Sequence, residues 1–287
     1  MQIIKFIKTW TLPLAMLAGI LIYLAFAHFD FLAPTKPIVR TIDEYLTPSL
    51  IFLQLFITFC KVNPKELRVR HWHFWLLAIQ FICSSLTYVI LAPFSQILAQ
   101  GALICLICPT ATAAAVITGK LGGNSESLIT YTMLVNIVVA IYVPTVFPII
   151  NPQEGLSFIN AFFVILSKVF PLLICPFLLA QLMRCMAPVI HKWTKEHSSI
   201  AFYLWAIALA MVMGKTAKSI VDHLQNDTED GMMILYLCLI SLLVCAFQFA
   251  LGKYIGTQYN DRISGGQALG QKNTILAIWM AYTYLTP

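Results

Sequence analysis

Two short stretches hold most of the residues able to do chemistry. The first, CPTATAAAVITGKLGGN, sets Thr110 and Thr112 directly after Pro109. The second, SGGQALGQKNTILA, sets Gln271, Lys272, Asn273 and Thr274 behind Gly265, Gly266 and Gly270. Hydroxyls and amides beside helix breakers offer hydrogen bonds and free backbone N–H groups, which suit an anion, and a lysine in apolar surroundings adds charge. That is binding chemistry. Bond-making chemistry lacks its parts: His28, His71, His73, His191, His197 and His223 fall at the ends of apolar runs or between them, with no carboxylate pair or nucleophile–base set, so no catalytic residue and no enzyme is expected. Cys105 and Cys108 stand one helical turn apart, but two thiols fall short of a tetrahedral site, and no metal or cofactor is expected. The eight cysteines read as small packing residues. The chain carries no phosphate-binding loop for ATP.

The elements that position these residues follow from composition. The 287 residues are 60% hydrophobic and 10% charged, with mean hydropathy +0.83. A soluble domain carries about 25% charged residues, and an ordinary soluble globule is excluded. The apolar runs are continuous rather than alternating, which excludes a porin-like barrel. At roughly 20 residues per crossing, the chain is an all-α polytopic membrane protein. Apolar runs and breakers predict nine spans near 10–29, 46–61, 72–93, 95–121, 126–150, 158–183, 199–218, 231–256 and 263–286. No gap holds a soluble domain, so 1–287 is a single transmembrane domain. Trp10, Trp72, Trp75 and Trp193 near predicted ends suit an aromatic belt. Lys5, Lys8 and Ala25-Phe26-Ala27 imitate a signal peptide, but the run Leu12 to Phe29 is long for one and is kept as a span.

Charge sets the orientation. One set of ends and loops holds Lys5, Lys8, Lys61, Lys65, Arg68, Arg70, Lys120, Arg184, Lys192, Lys195, Lys253 and Arg262; the other holds Lys36, Arg40, Lys215 and Lys218. The richer side is cytoplasmic, which puts the N-terminus inside and the acidic stretch Asp222 to Asp230 outside. The net charge of +6 therefore reflects topology, and no nucleic-acid partner is expected. The protein is placed in a bacterial inner membrane or a plasma membrane.

Pro109 interrupts the fourth span and the glycines interrupt the ninth. Backbone unpaired at membrane depth must be buried in protein or line a wet cavity, and paired interruptions in two halves point to a transporter site. The fourth and ninth spans are each fourth in a group of five, which predicts inverted repeats over about 10–150 and 158–287, working by alternating access. A kinked helix and close-packing glycines are the plainer alternative, but they leave the polar cluster from Gln271 to Thr274 unexplained.

On these two stretches the sequence resembles the bile acid:sodium symporter superfamily, whose "PGG-T-x-S-N" and "E-x-G-x-Q-N-x-x-L-A" crossovers match the stretch from Pro109 and the GQKNTILA stretch. The likeness runs over most of the chain, including LPLAMLAGILI and AIQF. It implies ten spans in a core and a panel, with a tenth beyond Pro287, and transport of organic anions such as bile acids or small carboxylates. The departures fall on ion ligands. The family's sodium-binding Ser-Asn pair falls on Ala114 and Ala115, its Glu on Ala268, its Gln on Lys272, and a fifth-span hydroxyl on Leu128. Gln80, Thr132 and Asn273 are kept.

Alanine supplies no side-chain oxygen, and no acidic residue sits mid-span; Glu126, at the start of the fifth, is nearest. Lys272 is therefore expected to act as a built-in counter-ion in place of sodium, donating to Gln80, Gln271 or broken-helix carbonyls; the alternative is a lysine that snorkels to the surface. A central lysine costs roughly 2.5–3.5 kcal/mol on insertion scales, which argues against an idle position. Thr110, Thr112, Asn273 and Thr274 are the expected substrate contacts. Lys168, three residues before Pro171, reads equally as an anion contact or a snorkelling residue, and Asn136 as a cavity lining or an interhelical bond. The expected partners are a small organic anion and the lipid bilayer. Alternatives are a sodium symporter with a site rebuilt from Gln80, Thr132, Gln271 and carbonyls, a non-transporting sensor, and a metalloid carrier using Cys105 and Cys108.

Overall fold

The computed structural model describes residues 10–63, 67–152, 155–226 and 228–285. Lys5, Lys8, Lys65, Asp227 and Pro287 lie outside them, as do the side chains of Arg40, Glu229 and Asp230. The order is α1 (Thr11–His28), a 3-10 turn (Asp30–Thr35), α2 (Lys36–Cys60), α3 (His71–Leu91), α4 (Gln96–Ile107), α5 (Ala114–Lys120), α6 (Ser125–Ile150), α7 (Phe158–Leu173), α8 (Cys175–Met186), α9 (Pro188–Glu196), α10 (Ile200–Asn226), α11 (Thr228–Gln258), α12 (Arg262–Gly270) and α13 (Thr274–Tyr284). Among the described residues there is no strand, only one isolated bridge.

Helix occupies every interval in which a span was expected, with differences at the ends and breaks. Among the described residues, four helices are long and apolar enough to cross a membrane alone: His71–Leu91, Ser125–Ile150, Ile200–Asp222 and Gly231–Gln258. A fifth crossing arises if α7 and α8, bent by 42° at Ile174, count as one. Pro176 in the first turn of α8 accounts for the restart. α2 begins ten residues before the expected second span, because Lys36 to Tyr45 forms helix although it is too polar to read as a crossing.

Side-chain oxygens start several helices. Ser95 accepts from the Leu98 N–H at 3.3 Å, Asn124 from Ser127 at 2.9 Å and Ser157 from Asn160 at 3.4 Å, each satisfying a donor the first turn leaves free. Lipid tails give no hydrophobic drive between helices, so packing depends on close approach. A methyl added to Gly252 would strike the Gly265 carbonyl, and one added to Gly265 would strike Gly252, so α11 and α12 touch backbone to backbone. Gly19 meets Ala210 in the same way, which ties α1 to α10.

Of the four tryptophans expected in a belt, Trp10, Trp75 and Trp193 are more than half exposed. Trp72 is not: it is fully buried, 4.1 Å from the His73 ring and stacked at 5.9 Å on Tyr131. Its place in the first turn of α3 turns it inward.

Replacing Gly252 by Leu should force α11 from α12 and cost about 1–3 kcal/mol, seen as a lowered melting temperature in detergent. Gly231→Ala, where the added methyl meets only ordinary contact, should leave melting unchanged. Equal melting of the two variants would show that the α11–α12 seam tolerates bulk.

Candidate functional site

The residue before a proline is pushed out of the helical region. Cys108 obeys, at φ −53° and ψ 135°, and α4 stops at Ile107. This frees carbonyls at membrane depth, and side chains from other helices meet them. Gln80 of α3 donates from Nε2 to the Ile107 and Cys108 carbonyls at 3.0 and 3.2 Å. Gln248 of α11 donates to the Leu106 carbonyl at 3.2 Å. Tyr131 of α6 donates its hydroxyl to Gln80 Oε1 at 2.9 Å, fixing the amide's orientation.

The second break, from Gln271 to Asn273, lies against the first. The Ala111 N–H donates to the Gln271 carbonyl at 2.9 Å and the Asn273 N–H to the Pro109 carbonyl at 2.8 Å. Thr110 and Lys272 thus form a one-residue antiparallel bridge. The Thr110 hydroxyl donates to the Ala268 carbonyl at 2.7 Å, and the Cys108 thiol to the Asn273 carbonyl at 2.9 Å. Asn273 Oδ1 accepts from the Leu276 N–H at 3.2 Å and caps α13.

The two stretches singled out in the sequence therefore meet, and their side chains divide by role. Thr110 and Asn273 are buried and hold the crossing together. Thr112 is half-buried and Thr274 exposed. Thr132 is buried and bonds its own helix at the Leu128 carbonyl. Lys272 Nζ is buried and has no hydrogen-bond partner among the described residues; nor do Gln271 Oε1 and Gln267 Oε1. Gln80, expected to accept from Lys272, instead serves α4 and Tyr131, and the ammonium does not snorkel out. The Cys105 and Cys108 thiols are the titratable groups within electrostatic reach of it.

The positions expected to lack ion ligands are packed. Ala114, Leu128 and Ala268 are fully buried. The Ala268 carbonyl accepts from Thr110, and the Ala115 carbonyl from the Ser125 hydroxyl at 2.9 Å. No group of three His, Cys, Asp or Glu able to hold a metal occurs among the described residues. Asn136 is buried with its Nδ2 unpaired.

Other polar contacts escaped the sequence reading. Arg70 pairs with Asp261 at 2.9 Å, His73 Nε2 meets Ser127 Oγ at 3.1 Å, and the Asn124 N–H donates to Ser264 Oγ at 2.9 Å, joining α3, α6 and α12. Only Gln248 left a trace in the sequence, as a lone amide in the long apolar run of α11. At the opposite end of α13 a cleft of about 1000 Å³ opens between α2, α7, α10 and α13. Lys168, Lys215, Asp43, Trp279 and Tyr282 line it. Lys215 pairs with Asp43 and lies 5.7 Å from the Tyr282 ring centre, whereas Lys168 has no ion-pair partner among the described residues.

Long apolar helices with two breaks that cross define an integral membrane protein of the transporter class. Residues 12–286 match the model of the SBF-like CPA transporter family, and the chain belongs to that family, which is related to the bile acid:sodium symporters. No curated protein matches the chain.

Gln80→Leu should leave the Ile107 and Cys108 carbonyls and the Tyr131 hydroxyl without partners, at about 1–3 kcal/mol for each group orphaned. Thermal unfolding in detergent should show a loss well above that of Ser85→Ala, an exposed hydroxyl on the same helix. A loss no larger than that control's would mean the carbonyls find other donors.

Proposed function

We propose that the protein is a secondary active transporter of a small organic anion, a carboxylate or bile acid-like molecule, moved by alternating access without a family-type sodium site. The observation that carries this reading is the buried, unpartnered Lys272 ammonium at the crossing of the two broken helices. A desolvated cation costs several kcal/mol unless something offsets it, and a bound carboxylate does so directly. The packed methyl groups of Ala114 and Ala268 and the buried Leu128 support the absence of sodium: side chains there contribute no oxygen. No resident cofactor enters the scheme.

In this reading nine crossings start from a cytoplasmic N-terminus, and inverted repeats of about 10–150 and 158–287 bring the two breaks together. The substrate carboxylate approaches Lys272, with Gln271 and Thr274 close by in sequence, and Thr112 two residues after its bridge partner Thr110, for further hydrogen bonds. The cleft lined by Lys168 and Trp279 supplies an approach from one side. Trp279 is five residues into the helix that Asn273 caps, about 8 Å along it at 1.5 Å per residue. The tightly bonded crossing moves as one unit with α3, α4 and α11, and access alternates by its displacement against α2, α7 and α10.

Uptake of a panel of carboxylates and bile acid-type anions into proteoliposomes tests this. At least one anion should accumulate equally in sodium and potassium media, and Lys272→Met should lower that flux at least tenfold. In detergent, sodium in place of potassium at fixed ionic strength should not raise the melting temperature. A sodium site filled at about 100 times its dissociation constant would add roughly 2.7 kcal/mol; stabilisation of that size would instead make the protein a sodium symporter with displaced ligands. Unchanged flux in Lys272→Met would remove the lysine from the mechanism.

A further inference from the structure

Far from the helix crossing, a second cavity of about 300 Å³ lies where the end of α2 meets α8 and α9. Its wall holds Lys61, Arg184, Lys192 and Lys195, together with His191 and Asn63, and no carboxylate among the described residues. Arg184 Nη1 donates to Asn63 Oδ1 at 3.0 Å, which fixes the guanidinium against the cavity. His191 Nε2 is buried in the same wall, with the ring against the Cys60 backbone. Burial, and after it the charges of Arg184 and Lys195, hold its imidazole below the usual range, against an opposing backbone hydrogen bond with Cys60. Glu196, on the same helix, pairs with Lys192 at 4.0 Å, with both side chains well exposed. Such a surface pair neutralises little.

The outward face of α9 is apolar and uncovered, and it borders the pocket where Val189 stands one helical turn from Lys192. Val189 is 80%, Ile190 54% and Trp193 53% exposed on α9, and Met186 is 76% exposed at the end of α8. Helix α9 is only nine residues long and cannot span a bilayer. Its apolar side carries a tryptophan while Lys192 and Lys195 occupy another, the pattern of a short helix lying in the interface plane. A concave basic site beside an interfacial apolar surface matches an anionic phospholipid, with the phosphate among the cations and the chains along Val189, Ile190 and Trp193. Basic pockets between helices on the cytoplasmic side hold headgroups of this kind, and the count of basic loops assigns this face to the cytoplasm.

From this juxtaposition we infer that the α2–α8–α9 pocket is a binding site for an anionic phospholipid, engaged through its phosphate by Arg184, Lys195, Lys192 and Lys61. A soluble phosphate shares the charge but not the chains, so the apolar flank selects the lipid. The site stands apart from whatever anion the transporter carries. Lipid held there pins α9 to the ends of α2 and α8.

Native mass spectrometry of the purified full chain in detergent, with added phosphatidylglycerol or phosphatidylcholine, tests the assignment. Phosphatidylglycerol should be retained and phosphatidylcholine lost, and Arg184→Gln with Lys195→Gln should weaken retention at least tenfold. Lys120→Gln, which removes a basic residue outside the pocket, should not. Because the double variant risks misfolding, the wild-type chain gives a second reading. Brominated phosphatidylglycerol should quench tryptophan emission more than brominated phosphatidylcholine does, and Trp193→Phe should abolish the difference. Equal retention of the two lipids, retention untouched by the double variant, or a quenching difference between the two brominated lipids that survives Trp193→Phe would each overturn the site. Inorganic phosphate or glycerol phosphate displacing the lipid at equal concentration would overturn the lipid in favour of a soluble phosphate.

Discussion

Satisfying the backbone at the two helix breaks is the constraint on which the rest of the molecule depends. An unpaired peptide group in hydrocarbon costs several kcal/mol, and Pro109 with the Gln271–Asn273 segment frees groups on two helices at once. The fold pairs them with each other through two backbone bonds and closes the remainder with Gln80, Gln248, Thr110 and Cys108. Gln80 and Gln248 come from α3 and α11, and Thr110 and Cys108 reach from the first break to the second, so α3, α4, α11, α12 and α13 are joined to one another by polar contacts. The glycine contact between α11 and α12 then follows as a geometric need: Gln248 lies on α11, one turn before Gly252, and bonds α4 while α12 leads into the second break.

The breaks were legible in the sequence because proline and glycine act locally. Pro109 dictates the conformation of Cys108, and the polar run from Gln271 to Thr274 has no place in a lipid-facing helix. Which groups would answer the freed carbonyls was not legible, since Gln80 and Gln248 stand out only as amides in apolar helices distant in sequence, and Tyr131 does not stand out at all. Element ends failed for a related reason. Hydropathy sees only the apolar part of a helix, so the first ten residues of α2 read as a loop, although they fold as helix and bring Asp43 to Lys215. Trp72 was misplaced because position near a span end predicts depth, whereas burial depends on which way the first turn of α3 faces.

Thr110 illustrates the limit of assigning a site by motif alone. Its hydroxyl beside a proline break looks like a substrate contact, yet it is committed to the Ala268 carbonyl and is almost wholly buried. Asn273 is committed in the same sense, to the cap of α13. The polar atoms left open are on their neighbours, Lys272 and Gln271. Along the break, Asn273 is committed to the scaffold, while Gln271 Oε1 and Lys272 Nζ have no hydrogen-bond partner among the described residues. Residues whose side chains point back into the crossing hold it, and those between them keep unspent hydrogen-bonding capacity.

The same accounting explains why Lys272 and the alanines belong together. A cage for a bare cation needs several converging oxygens. Ala114, Ala268 and Leu128 present carbon instead, and the carbonyls of Ala115 and Ala268 already accept hydroxyl protons. Bringing a mobile cation into such packing would cost desolvation with few ligands in return. A tethered ammonium differs because its charge is carried by the chain, and folding holds it there whether or not a substrate is bound. What it lacks is an acceptor, and the thiols within its electrostatic reach are poor ones. A carboxylate offers two oxygens, each able to take a charge-assisted hydrogen bond. The unmet need at the crossing is thus negative charge, and this polarity is what the proposed anion reading rests on.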